Sequence, residues 1–540
     1  MSSMHAIGTK LNTGKVVATV KLDDSLHPET PVEMRCRPSS ELLFRMTLLL
    51  ILILFAIIPW SIPILHNART WTLVMAVLFL GTVFGPAFFA FNGFVQISLD
   101  RLLWVAVIGV AVFRVLTGEN KLPRVTRTDG VVLGLVAITL LSCLRFGMFG
   151  DGQPPIARWL FYMALPCSLY AVMRTATFTR QDIHRMVTAL IAMGAYLAFT
   201  GVMEMLDLRA LVFPRFINDP EVWEFYGRGR GPLLNPAGNG ILLTLALAAC
   251  ASRFLDSGRH GKAWYALLAL LMLAGCYSTL TRSVWLGAIA ALGWIGMIYV
   301  PRRVRIVALA GVVVFSGAMA MGLKDQMMSM KRDKALSAAD AAKSVELRPL
   351  LALVAYEMFL DRPLGGHGYG NYFDAAEPYH AIRRHGVPLE NARPYMQHNV
   401  FLSTLVDLGL FGFSMHLLML IGLFCLAWQL ASAKHADATG SQMRATLWDP
   451  IAEDHRRTIG ILMLGLLSGY VCNGMFHEVG IIHMVHMYLF AMAGVLVTLH
   501  QTAESTVANP MPRWNPFLRW TPTVGAAHEA AYGGKTPLHG

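Results

Sequence analysis

What most constrains this chain is a succession of long apolar runs separated by short polar connections. They lie near residues 46–65, 71–90, 100–117, 129–147, 155–173, 186–206, 232–251, 263–280, 283–300, 304–323, 400–430, 459–477 and 480–499. A helix that crosses a bilayer takes about 20 mostly apolar residues, because every backbone polar group must find its partner within the segment. Over 540 residues, 55% hydrophobic and only 14% charged, there is too little polar surface to cover a particle in water. The sequence predicts an all-α fold, a polytopic integral membrane bundle of about 12 transmembrane helices.

The formal charge of +12 does not point to nucleic acid, because the basic residues sit mainly in short clusters between apolar runs, where they set topology. From the fourth run onward, Lys121/Arg124/Arg127, Arg174/Arg180/Arg185, Arg253/Arg259/Lys262, Arg302/Arg303/Arg305 and Lys434/Arg444/Arg456/Arg457 fall on one side, expected to be cytoplasmic. The basic N-terminal tail belongs there too, which requires an even number of crossings before residue 118. The stretch 71–97, interrupted by Gly81, Gly85-Pro86 and Asn92-Gly93, is therefore expected to be broken or re-entrant rather than a full span. No cleavable signal peptide is expected, since mixed polar sequence precedes the first run. The expected organisation is a cytoplasmic tail over 1–45, transmembrane helices over 46–323, a long extracytoplasmic loop over 324–399, transmembrane helices over 400–500 and a disordered cytoplasmic tail over 501–540. Within the loop, Arg348-Pro349 opens an apolar run to Leu360, too short to span and fitting a cap helix. The cysteines read as small buried hydrophobes, with neither a disulfide framework nor metal-ligand spacing.

Four constellations on the outer side could carry chemistry. Gly227-Arg228-Gly229-Arg230-Gly231-Pro232 precedes a span entered through Asn235-Pro236-Ala237-Gly238-Asn239. Glycine-flanked arginines beside a helix N-terminus make an anion site, or a loop whose arginines snorkel toward headgroups. Thr281-Arg282-Ser283 places a cation in a tight outer turn, where charge is costly unless paired or facing a wet cavity. Arg348 precedes Pro363-Leu364-Gly365-Gly366-His367-Gly368-Tyr369-Gly370-Asn371. His398-Asn399 then stands where the loop re-enters the bilayer, and histidine there can serve as base or proton relay near neutral pH. His477-Glu478 with His483 and His486 gives a weak metal pattern, which more often lines a helix interface.

In this order the pieces resemble the O-antigen ligase/polymerase family of bacterial membrane glycosyltransferases. The resemblance rests on the Thr281-Arg282-Ser283 turn and on Asp361-Arg362-Pro363-Leu364-Gly365-Gly366-His367-Gly368-Tyr369-Gly370-Asn371. It rests also on His398-Asn399-Val400-Phe401-Leu402 running to Asp407-Leu408-Gly409-Leu410-Phe411-Gly412, and it covers roughly 225–425. Asn235-Pro236 departs from the Pro-Asn order expected before the glycine.

The resemblance implies transfer of a glycan from a polyprenyl diphosphate, such as undecaprenyl diphosphate, to a lipid A core or growing polysaccharide acceptor. It places the reaction at the periplasmic face of the bacterial inner membrane, in the 324–399 loop, with no metal or other cofactor. Arg282 and Arg348 would hold the diphosphate and His398 would act on the acceptor hydroxyl. Arg230, Arg228, Asn399 and Asn371 would bind substrate. Membrane lipids are the other expected partners. A transporter or flippase for a lipid-linked glycan or another anionic solute is the competing class.

Overall fold

The computed structural model describes residues 67–85, 88, 90–92, 96–147, 154–222, 224–301, 303, 305–306, 338–433 and 453–508. Among them, eight helices are long and apolar enough to cross a membrane: Arg127–Phe146, Pro155–Thr175, Arg180–Met205, Pro236–Asp256, Arg259–Ser278, Arg282–Tyr299, Val400–Ser432 and His483–Ala503. The chain is a multi-pass membrane protein. The expected count of about 12 included runs 46–65 and 304–323, of which 46–65 and 307–323 lie outside the described residues.

The stretch singled out as broken holds a 14-residue helix, Thr70–Val83, followed by a short antiparallel hairpin that pairs Ala90–Asn92 with Gln96–Ser98. This hairpin is a small departure from an all-helical chain. Helix Leu99–Leu116 follows it, with Asp100 in its first turn and Arg114 in its last.

Caps explain where the helices start. Thr126 with Asp129, and Thr179 with Asp182, form reciprocal capping boxes at two span entries. Each box satisfies N–H groups that a helix N-terminus otherwise leaves open. On the other side, the Asn235 and Asn399 carboxamide oxygens each accept two N–H bonds from the turn that follows. The reversed Asn-Pro order is thus a helix cap with proline at the first helical position, where its missing N–H costs nothing.

Helix Glu453–Gly474 runs through the middle of the bundle, packed by helices Pro236–Asp256, Arg282–Tyr299 and Val400–Ser432. Small residues allow the close approach, as where Gly287 backs onto the Gly469 backbone.

Two expectations about the outer loop and the tail need correcting. The cap helix does not open at Arg348-Pro349. It runs from Ala338 to Asp361 with Pro349 inside it. The Ala-rich stretch 338–343 favours helix strongly, and proline's fixed φ is itself helical, so its lost hydrogen bond falls on the preceding turn without ending the helix. This helix has its own core with the short turns after it, where Leu351, Val354, Ala355 and Met358 meet Tyr372, Ala376, Leu389 and Val406. The last helix also overruns its expected end, continuing to Ala508; residues 509–540 lie outside the described residues.

Candidate active site

The glycine-rich turn and the Gly409 motif fit each other backbone to backbone. Helix Val400–Ser432 is broken at Gly409, where φ is 64° and ψ is −165°. Turn 363–370 crosses that break: His367 N–H donates to Val406 O at 2.9 Å, Gly368 N–H to Asp407 O at 3.0 Å and Leu410 N–H to Pro363 O at 2.8 Å. A Cβ on Gly409 would lie 2.4 Å from the Leu364 carbonyl carbon, and one on Gly366 would lie 2.5 Å from that of Asp407. Both glycines have positive φ, which side chains resist. The turn's sequence is therefore dictated by a backbone crossing, and its N–H groups are spent on it. Asn371 serves the same assembly, its amide lying 3.5 Å from the Phe146 carbonyl oxygen. His367 is buried and bonds Met358 O at 2.7 Å.

The other family-motif residues gather around the outer end of helix Glu453–Gly474. Arg282, half-buried, opens helix Arg282–Tyr299, and its neighbour Ser283 donates to Asn473 Oδ1 at 2.9 Å. The Arg348 guanidinium lies 5.8 Å from the Phe476 ring centre. Asn399 Nδ2 donates to Met475 O at 3.0 Å. His398 is held in the left-handed region, φ 49°, immediately before the Asn399 cap. His398 is exposed at its surface, yet desolvation by the chain around it, and next the Arg348 charge, lowers its pKa below the ordinary 6.5. An imidazole so placed is neutral at physiological pH and can accept a proton. Arg282, Arg348 and His398, spread over more than a hundred positions from first to last, thus share one neighbourhood, residues 473–477.

Arg228 and Arg230 have a different fate. Arg230 is 0% exposed, and its two terminal nitrogens donate to the backbone oxygens of Ile217, Asp219, Val222 and Glu224. Glu204 stands 4.0 Å from its Nε and takes Gly231 N–H at 2.8 Å. Arg228 donates through Nε to Thr279 O at 3.1 Å and through Nη2 to Thr281 Oγ1 at 2.6 Å. Asn239, also fully buried, donates to Gly229 O at 3.0 Å. These groups tie the 217–231 loop to the 279–281 turn, and Arg230 presents no surface to a substrate. Asn399 is likewise committed to capping and to Met475 O.

Sequence reasoning missed Arg158, placed Asp407 only within a motif and Glu478 only in a weak metal pattern; the three line one cavity with Tyr369, Ser403 and His416. Asp407 Oδ2 accepts Gly370 N–H at 3.1 Å, while Asp407 Oδ1 and Glu478 Oε2 are buried without a partner. Burial raises the Glu478 carboxyl to about 7, against the Arg158 charge, which works the other way. Arg158 sits just before the π-helical segment Leu160–Ala164, a distortion frequent at functional sites. The signal was available, because Arg158, like Arg282, is a cation at the span end where the topology rule predicts few. Nearby, His486 bonds Tyr162 O and the Tyr470 hydroxyl, which occupies both ring nitrogens, and His483 faces Asp100 at 3.8 Å. Among the described residues, no group of three or more His, Cys, Asp or Glu side chains is arranged for a metal.

No curated protein matches the chain. A family model described as O-antigen ligase matches residues 267–417, a stretch that includes Arg282, Arg348, the glycine turn, His398 and Gly409 but not Arg228 or Arg230. On that match, residues 267–417 of this membrane protein are similar to the O-antigen ligase family.

Proposed function

We propose that the protein transfers a glycan from a polyprenyl diphosphate to a sugar hydroxyl, at the extracytoplasmic face of a bacterial inner membrane. The carrying observation is the shared placement of Arg282, Arg348 and His398 around residues 473–477. Guanidinium groups held in a water-poor margin stabilise the charge that grows on a leaving diphosphate. The neutral His398 takes the acceptor hydroxyl's proton as the glycosidic carbon–oxygen bond forms and the bond to the diphosphate breaks. The acceptor is a lipid A core or a growing polysaccharide, and no metal enters the scheme.

The test is transfer by the purified full-length protein in detergent, with polyprenyl-diphosphate glycan and acceptor, in the presence of a chelator. Product formed without a second compartment supports the reading and excludes transport as the sole activity. Movement of the glycan lipid across a vesicle membrane, with no product under any condition, would replace it with the flippase reading.

A further inference from the structure

A second group of cations lies beside the glycine turn, which meets helix Val400–Ser432 at residues 406–410, whereas residues 473–477 meet its N-terminal end at Asn399. Arg145, in the last turn of helix Arg127–Phe146, and Arg362, just after helix Ala338–Asp361, both stack on Phe146, at 5.3 and 5.5 Å from its ring centre. Phe146 is itself wedged against the turn, because a Cβ on Gly368 would fall 2.7 Å from the Phe146 Cβ. Both arginines are exposed. Among the described residues, Arg145 has no side-chain hydrogen bond or ion pair, and the Arg362 side chain has only Asp361 at 3.7 Å, on the oxygen that already takes the Tyr379 hydroxyl. Two guanidiniums gathered on one ring repel each other, and an anion shared between them removes that cost.

The surroundings say what kind of anion. Leu141 and Leu144 flank Arg145, Leu360 and Leu364 flank Arg362, and Phe411 donates its N–H to Leu364 O. All five apolar side chains are exposed, a broad apolar fence beside fixed positive charge and the signature of a bilayer margin. A phosphate joined to several acyl chains satisfies both halves, whereas a soluble anion uses only the arginines. The helical stretch from Val400 to Leu408 separates His398 from this turn, so at about 1.5 Å per residue the two charged places stand on the order of 15 Å apart. That leaves room for two lipid substrates side by side.

We propose that Arg145, Phe146 and Arg362 form a docking site for the phosphate of a multi-acyl glycolipid of the lipid A type, the membrane-anchored acceptor. The proposal rests on the glycosyltransferase reading above and assigns the donor and acceptor lipids to these two charged places. Binding is measured by mass spectrometry of the intact full-length protein released from detergent. The probes are bisphosphorylated lipid A, the same lipid dephosphorylated, and undecaprenyl diphosphate.

Removing the phosphates, or replacing both arginines (R145Q with R362Q), should weaken lipid A binding tenfold or more and leave undecaprenyl diphosphate binding unchanged. R145K with R362K should restore most of the affinity. Equal binding by the doubly substituted and native proteins would overturn the proposal and leave the arginines as interfacial anchors. Displacement of lipid A from native protein by undecaprenyl diphosphate, abolished in the double variant, would also overturn it by making this a donor site. His398→Ala should bind lipid A as the native protein does. Intact lipid A binding with no transfer by native protein would therefore sink the reaction and spare the site.

Discussion

Two regions of this protein offer the same chemistry in sequence, glycine-flanked or turn-borne arginine on the outer side, and fold it to opposite ends. In the 217–231 loop the Arg230 guanidinium is enclosed and its terminal nitrogens are used on backbone oxygens. Around residues 473–477, Arg348 sits beside an exposed phenylalanine and next to a histidine in a strained conformation. The difference lies in the surrounding backbone. An irregular loop with few helical bonds has carbonyls to spare, and a buried guanidinium with five donors satisfies several at once. At the helix end capped by Asn399, the neighbouring Arg348 is half-buried and lies over the Phe476 ring.

The largest expected effect tests the enclosed arginine. Arg230→Ala leaves buried carbonyls and Glu204 without their partner, a loss of about 3–5 kcal/mol by the usual cost of breaking a buried charge pair. The variant should be missing from the membrane or run as an aggregate on size-exclusion chromatography. A well-folded Arg230→Ala protein with impaired donor binding would break the comparison and restore Arg230 as a ligand. His398→Ala is the opposite probe. It should insert and fold normally, keep donor binding, and lose about a hundredfold or more of transfer in single-turnover measurements. Near-normal transfer by the folded variant removes histidine from the chemistry.

Much of the fold was legible. Apolar runs near 20 residues placed the spans because a backbone in lipid has no alternative to helix; the Thr-x-x-Asp boxes that start two of them emerged only in the structure. The site was legible as a set of neighbourhoods and much less as roles. Arg282, Arg348 and His398 could be listed, but whether an arginine faces a ligand or a carbonyl depends on chain brought in from elsewhere: for Arg230, residues 204 and 217–224. The shared cavity of Glu478 and Asp407 escaped for the same reason, since a carboxylate in a hairpin or a helix gives no sign of the Arg158 that will stand near it. The glycine turn was misread in kind. It stood among the constellations that could carry chemistry and is a backbone crossing.

That correction carries a smaller effect. Gly409→Ala forces a methyl group into the Leu364 carbonyl at positive φ and should destabilise by about 1–3 kcal/mol. Gly422→Ala, in the same helix with nothing within 4 Å of the added carbon, should be neutral or mildly stabilising. Thermal unfolding in detergent separates them, and equal melting temperatures would show that the crossing does not need its glycine.

The finest test concerns the coupling between Arg348 and His398. His398 acts as a base only when neutral, so transfer should fall as pH drops through its pKa, which desolvation and then the Arg348 charge hold below 6.5. The acid limb of the native protein's rate profile should therefore have its midpoint below 6.5. Removing the cation removes one of the two influences that disfavour imidazolium, so in Arg348→Gln the pKa must rise. The residual activity of that variant should lose its acid limb at higher pH than the native protein, by a fraction of a unit, since desolvation remains. Arg348→Lys keeps the charge and should keep the native midpoint, although its donor binding weakens because an ammonium cannot reproduce a guanidinium's planar two-point contact. A midpoint that stays put in Arg348→Gln would mean that the two side chains, although neighbours in the fold, do not act on the same proton.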